Sequence, residues 1–258
     1  MIKILFAGDV VGSPARKFLQ ENLPRLRIER KLDAIIVNGE NAAAGSGLTK
    51  DTAQEIFSAG VDLITTGDHI FKRKESREVL ETMDVVRPLN QSVLAPGRGF
   101  MVKSINGIKV GAVNLLGRVF MPPVDCPFQA VKNILENILK ETPVVIVDMH
   151  AEATSEKLAM GFFLSGKVSA VLGTHTHIPT ADERIIDGTA YITDCGMTGS
   201  FDSVLGRDKA AIVEKFVTNL PVKFNLAQND VRLQGVILDI DEKTGRALKI
   251  ERIEVKGV

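Results

Sequence analysis

An α/β fold is predicted by three observations on the chain. Short apolar runs recur, each ending in a polar or glycine-rich stretch. Segments with helical spacing lie between several of them, and the last third switches to alternating apolar and polar residues. Runs of strand length that stay apolar throughout suit strands covered on both faces. At 258 residues the chain has room for one large domain or two small ones. Without an internal repeat, a low-complexity tract or a long linker, a single domain over residues 1–258 is the expectation.

Taken in order, "IKILFAGD" reads as the first strand. It turns polar at Asp9, too early for a signal peptide or a membrane span, so a cytoplasmic protein is expected. A helix over residues 14–29 follows, with Ser13 expected as N-cap and Pro14 at the first helical position. "DAIIVNGEN" is a strand, and Thr49 then opens a helix to Ala59 with Asp51 in its first turn. "VDLITTGDH" precedes a helix from Lys74 to Glu81, and "KVGAVNLLG" one from Ala130 to Glu141. "PVVIVDMH" precedes a helix from Ser155 to Phe163, announced by Thr154 with Glu156 and Lys157 after it. "VSAVLGTH" and "TAYITDCG" are further strands. The stretch "PVKFNLAQNDVRLQGVILDIDEKTGRALKIERIEV" alternates and contains the turn "DEKTGR", which predicts a hairpin-rich antiparallel end.

Composition excludes some functions. The 32 basic residues balance 32 acidic ones, so no net charge draws the chain to nucleic acid or an anionic membrane. RNA is therefore an unsupported partner. Two cysteines, Cys126 and Cys195, make no disulfide framework and no CxxC pair.

The endings of the apolar runs carry the chemistry. All four histidines, His69, His150, His175 and His177, fall where a strand gives way to a loop, and Asp9, Glu40, Asn41 and Asp68 fall at similar junctions. Imidazoles and carboxylates together suit zinc, manganese or iron, and the lack of cysteine argues against a structural zinc cage. The group has too many ligands for one ion. One bridging carboxylate can hold two ions about 3.5–4 Å apart, and Glu40 is the candidate bridge. Asn41 reads either as a ligand or as a loop-shaping residue. Asp68 reads as a ligand or as a partner orienting a histidine, with ligation favoured.

Other segments leave alternatives open. "AAAGSGLT" lacks the lysine of a phosphate loop and reads as a tight turn beside the metals. Arg118, Glu152, Thr154, Thr174 and Thr176 read as phosphate or supporting contacts, or as solvated loop residues. "FKRKESR", residues 71–77, is a solvated helix face or a basic run steering a phosphate or RNA end. "VFMPPV", residues 119–124, is a candidate contact surface for a homo-oligomer.

The ordered set "GDVVGSP", "NGENAAAGSGLT", "GDH", "HAEATSEK", "GTHTHIPTAD" and "YITDCGMTG", spread over nearly the whole chain, resembles the YmdB-like branch of the calcineurin-type metallophosphoesterases. The resemblance implies a four-layer α-β-β-α sandwich of two mixed sheets. It also implies two metal ions, iron first and manganese second, and hydrolysis of phosphodiesters by a hydroxide held between them, with 2′,3′-cyclic nucleotides the expected small-molecule substrate. By position it puts Asp9, Asn41 and His177 on one ion and Asp68, His150 and His175 on the other. Glu40 bridges the two, and His69 is the catalytic residue beside the leaving oxygen. Val11 stands where the wider superfamily has a histidine, and Asn41 takes over that ligand's place.

Two departures follow. The family writes "GNH" where this chain has Asp68, and a third carboxylate implies tighter metal binding but a weaker Lewis acid and slower turnover. Relatives often follow the outer histidine with an aromatic and then a polar or acidic residue. Here Phe71 is followed by Lys72, which cannot orient His69. These departures motivate an alternative from another class, a regulatory metal- and nucleotide-binding protein with little turnover.

Overall fold

The computed structural model describes residues 1–257. The first sheet contains β1 (Ile2–Ala7), β2 (Asp9–Val10), β3 (Ala34–Asn38), β4 (Leu63–Thr65), β11 (Met197–Ser200), β12 (Val231–Ile240) and β13 (Ala247–Lys256). Its order is β2-β11-β12-β1-β3-β4, with β13 also paired to β12. The second sheet runs β5 (Phe100–Ile105), β6 (Ile108–Leu116), β7 (Val145–His150), β8 (Ala170–Thr174), β10 (Thr189–Ile192) and β9 (Arg184–Ile186). Both are mixed: β1, β3 and β4 are parallel while β12 is antiparallel to β1, and β6, β7, β8 and β10 are parallel with antiparallel edges at β5 and β9.

The alternation of side chains explains the layering. Ile4, Phe6 and Ile36 point into the seam between the sheets, where they meet Ala112, Ile146, Ala170 and Leu172. Their neighbours Leu5, Ile35 and Val37 point the other way, onto the buried faces of α1 (Gly12–Arg30), α2 (Lys50–Ser58) and α3 (Ser76–Thr82). On the second sheet Val113, Leu115, Val145 and Val147 face α4 (Pro127–Leu139) and α5 (Thr154–Leu164). Strands apolar on both faces are thus sandwiched between helices and a second sheet. The result is a four-layer α-β-β-α sandwich, as the resemblance implies.

Several elements differ from expectation. Ser13 does not cap α1: the helix starts at Gly12, whose φ of 70° turns the chain directly out of β2, and Val11, with no capping side chain, precedes it. The Gly12 amide is taken up by Asn41 O instead, at 3.0 Å. Thr49 does cap α2, in a reciprocal bond with Thr52. Ala153, not Thr154, precedes α5, and Glu156 and Lys157 serve tertiary contacts rather than helix initiation. The antiparallel end is one hairpin, β12 and β13. Residues 221–230 form no strand, and a further helix, α6 (Lys209–Thr218), precedes them. Among the described residues, no helix is long and apolar enough to cross a membrane.

Candidate metal centre

The sandwich brings the expected residues to one edge of both sheets. Asp9 opens β2, Glu40 and Asn41 follow β3, and Asp68 and His69 follow β4. His150 ends β7, and His175 and His177 follow β8. The first sheet therefore supplies the three carboxylates and the second supplies three of the four imidazoles.

Single ligand atoms of Glu40, Asp68, His150 and His175 lie within 4.8 Å of one another. His150 Nε2 is 3.2 Å from Glu40 Oε1, 3.3 Å from Asp68 Oδ1 and 3.1 Å from His175 Nδ1. The outer nitrogen of His175, Nε2, meets Glu152 at 3.1 Å, which leaves Nδ1 to face the cluster. Asp9, Asn41 and His177 stand beside this group. Asn41 Nδ2 is 3.1 Å from Glu40 Oε1, 3.3 Å from His177 Nε2 and 3.4 Å from Asp9 Oδ1. As placed, the Asn41 amide turns its nitrogen to these groups and its oxygen to His69 Nδ1, at 2.8 Å. Ligation through Oδ1 requires the two ends to exchange, an isosteric rotation about the last side-chain bond.

His69 is held from two sides. Its backbone amide donates to Glu40 Oε2 at 2.9 Å, and Asn41 orients its ring. Asn41 thus fills the orienting role that Lys72 cannot. His69 Nε2 lies 3.6 Å from Asp68, and the side chain reaches solvent.

The electrostatics suit a cation. Burial pushes the Asp9 carboxyl up to about 7. Burial also pushes both outer imidazoles down, to about 4 for His175, where the charge on His150 adds to it, and to about 4 for His177. Neutral rings keep lone pairs free for a metal. Burial opposes a charged His150, but Glu40 and Asp68 outweigh it and hold the ring well above its usual pKa. Asp68 Oδ1 and His177 Nδ1 are buried without a hydrogen-bond partner among the described residues. Gly67 makes room at the centre: a Cβ there would stand 2.3 Å from both Glu40 Oε2 and His150 Nε2. Three converging carboxylates, the neutral imidazoles of His175 and His177 and an unpartnered carboxylate oxygen fit a bound metal, which would take the place of the proton that Glu40 and Asp68 hold on His150.

Residues behind the cluster escaped the sequence reading. Asp148, buried, accepts from Asn38, Thr65 and Thr174, and Thr174 Oγ1 in turn touches His150 Nδ1 at 2.8 Å. Burial pushes the Asp148 carboxyl up to about 6. An acid two residues before a histidine in an otherwise apolar run was the available signal. Asp194, also buried, pairs with Lys157 Nζ at 2.7 Å and accepts from the Thr176 amide and hydroxyl at 3.1 and 2.7 Å. That grip matters because His175 and His177, either side of Thr176, have φ of 97° and 63°, a left-handed backbone that costs a side-chain-bearing residue energy.

A cleft of about 320 Å³ opens over the cluster, and among the described residues Arg207 is the only lysine or arginine lining it. It donates to Ala44 O at 3.1 Å and Gly45 O at 2.5 Å and has no acidic partner among the described residues. No local motif announced it. Of the basic run, Arg73 is committed to Ser46 O and Ala43 O rather than free to steer a ligand.

A family model described as YmdB-like protein matches residues 5–253. Over 254 residues the chain is 47% identical to the 2′,3′-cyclic-nucleotide 2′-phosphodiesterase of Bacillus subtilis (strain 168), covering 98% of this chain and 96% of that protein. It superposes on the crystal structure of a hypothetical protein from Thermus thermophilus with a TM-score of 0.93, at 40% identity over 99% of each chain. The crystal structure of a novel phosphatase from Mycoplasma pneumoniae matches with a TM-score of 0.92, at 36% identity over 99% of this chain and 93% of that one. The model spanning nearly the whole chain and these full-length likenesses assign the protein: it belongs to the YmdB-like protein family.

Proposed function

We propose that the chain is a metal-dependent phosphodiesterase acting on 2′,3′-cyclic nucleotides or related phosphoesters, with two ions, iron or manganese, at the site. The observation that carries this reading is the convergence of Glu40, Asp68, His150 and His175 on one point, with Asp9, Asn41 and His177 beside it. The name of the Bacillus subtilis relative supports the substrate class. When bound, such ions polarise the phosphoryl group and lower the pKa of water.

The chain's own residues do the rest. Asp9, Asn41 and His177 would hold one ion and Asp68, His150 and His175 the other, with Glu40 shared between them. With the Asn41 amide turned so that Nδ2 donates to His69 Nδ1, the ring is left with its N–H at Nε2, the side away from Asn41. From there Nε2–H donates a hydrogen bond to the leaving oxygen and stabilises the negative charge that develops on it. Arg207, held by two carbonyls and free of carboxylates, presents its remaining donors to the phosphoryl oxygens. The reading takes the protein as a single domain, supported by a site built from both sheets, and as cytoplasmic, supported by the unpaired Cys126 and Cys195.

Elemental analysis of the protein as isolated tests this, with two ions per chain expected and Glu40→Gln losing both metal and turnover. One ion or none after reconstitution would sink the two-ion assignment. The extra carboxylate of Asp68 favours a second reading, a metal-bearing protein that binds cyclic nucleotide with little turnover. Binding without hydrolysis by the metal-loaded protein would select it.

A further inference from the structure

A larger cleft, about 810 Å³, borders the metal cluster at Asp68 and runs away from it along Phe71, Gln91, Val93 and the Pro122–Pro123 pair. Its volume lies within the range of small-molecule sites. Its walls differ from those of the smaller cleft: among the described residues they carry no lysine or arginine, so no cation there answers a phosphate or a polynucleotide backbone. They offer instead apolar surface from Phe71, Val93 and the two prolines, together with the Asp68 and Asp125 carboxylates, the Ser92 hydroxyl and one amide. Phe71 is 42% exposed, yet its backbone is fixed, because it sits in a short 3₁₀ turn (Ile70–Lys72) anchored by the buried Ile70 and starting directly after His69. Gln91 also lines the cleft, and its Oε1 is buried with no hydrogen-bond partner among the described residues. An amide left in that state costs stability unless a ligand completes it.

A phosphoester seated on the cluster needs a place for the group attached to it. We infer that this cleft is a nucleobase subsite, in which the Phe71 ring stacks on the base and the Gln91 amide hydrogen-bonds to its edge. Aromatic stacking accepts any base, whereas a carboxamide can pair with a donor and acceptor together, as on adenine. The subsite would make the protein select nucleoside phosphoesters over simple sugar phosphoesters. It rests on the phosphodiesterase reading, because only a phosphate held beside Asp68 directs a nucleoside this way.

Two measurements separate the inference from that reading. The first titrates the full-length, chelator-treated protein with adenosine, which carries the base but no phosphate, and follows amide NMR shifts. Wild type binds, and Phe71→Leu, which keeps an apolar side chain but removes the ring, weakens binding about tenfold, the scale of one lost base stack. The second compares kcat/KM for 2′,3′-cyclic AMP with that for the 2′,3′-cyclic phosphate of methyl riboside. That ratio falls about tenfold in Phe71→Leu, and Gln91→Ala alters the order of preference among the four bases. If wild type fails to bind adenosine, or the ratio is the same in Phe71→Leu, the subsite is wrong even though hydrolysis stands. If no phosphoester is hydrolysed but adenosine binds through Phe71, the phosphodiesterase reading fails and the base site survives. Variants that change self-association in sedimentation but not adenosine binding would make the cleft an interface between copies and overturn the inference.

Discussion

Lys157→Met is the most informative single perturbation of the scaffold around the histidines. The Lys157 ammonium and the Asp194 carboxylate form a pair 2.7 Å apart, with side chains 1% and 0% exposed. Methionine keeps most of the stem and removes the charge, leaving Asp194 buried without a counter-ion. Breaking one side of a buried pair costs about 3–5 kcal/mol. The amides of Thr176 and Gly196 and the Thr176 hydroxyl still donate to Asp194, which argues for the lower end, about 3 kcal/mol. At about 2–4 °C per kcal/mol for a chain of this size, the melting temperature should fall by about 6–12 °C. Far-UV circular dichroism on heating measures it. The double variant Lys157→Met/Asp194→Asn removes the stranded charge and should recover part of the loss. A single variant that loses less than about 1 kcal/mol, or a double variant no more stable than the single, would refute the view that a desolvated charge pair holds the histidine loop.

Gly67→Ala should empty the site without unfolding the protein, since the new methyl displaces the Glu40 carboxylate and the His150 ring. Its overpacking cost is about 1–3 kcal/mol, and wild-type metal content in the purified variant would contradict the cramped geometry. Tyr191 is the only tyrosine and there is no tryptophan, so phenolate absorbance reports one group. Burial pushes its pKa up to about 12 from 10.0, so the neutral phenol contributes full stability below pH 10 and that contribution is lost as pH climbs through about 12. An absorbance midpoint near 10 in the folded protein would show that the ring is solvated. Arg207→Gln keeps one donor for the Ala44 and Gly45 carbonyls but removes the charge. It should raise KM for a cyclic nucleotide about tenfold, as the loss of a charge-assisted contact implies, while an unchanged KM would leave Arg207 as a loop tie only.

Much of the architecture is legible because it depends on local pattern. The apolar runs become β1, β3, β4, β6, β7, β8 and β10, since a strand covered on both faces has no polar positions to confuse its reading. The site is legible for the same reason: polar residues that end such runs stand out. What fails is whatever depends on distant partners. Ser13 looks like a cap, but a glycine turn and the Asn41 carbonyl do the work. The helix α6 hides because only Ile212 of it is buried, leaving no apolar stripe aimed at a core, and Val213, Phe216 and Val217 stay exposed. Asp194, Lys157 and Arg207 each look like ordinary charged residues until the fold brings together segments far apart in the chain.

The division of donors between the sheets has a consequence for how the protein assembles. The candidate oxygen donors hang from one sheet and most of the candidate nitrogen donors from the other, and Asp9 and His177 are separated by most of the chain. A folding intermediate with either sheet alone therefore holds half a coordination sphere, and strong metal binding must wait for the two to dock. Once docked, any ion bound there acts as a clasp across the apolar seam, and its binding free energy adds to the cohesion of the two halves. Chelation should thus lower the barrier to parting the sheets more than it loosens either one, so that metal occupancy sets the lifetime of the folded state.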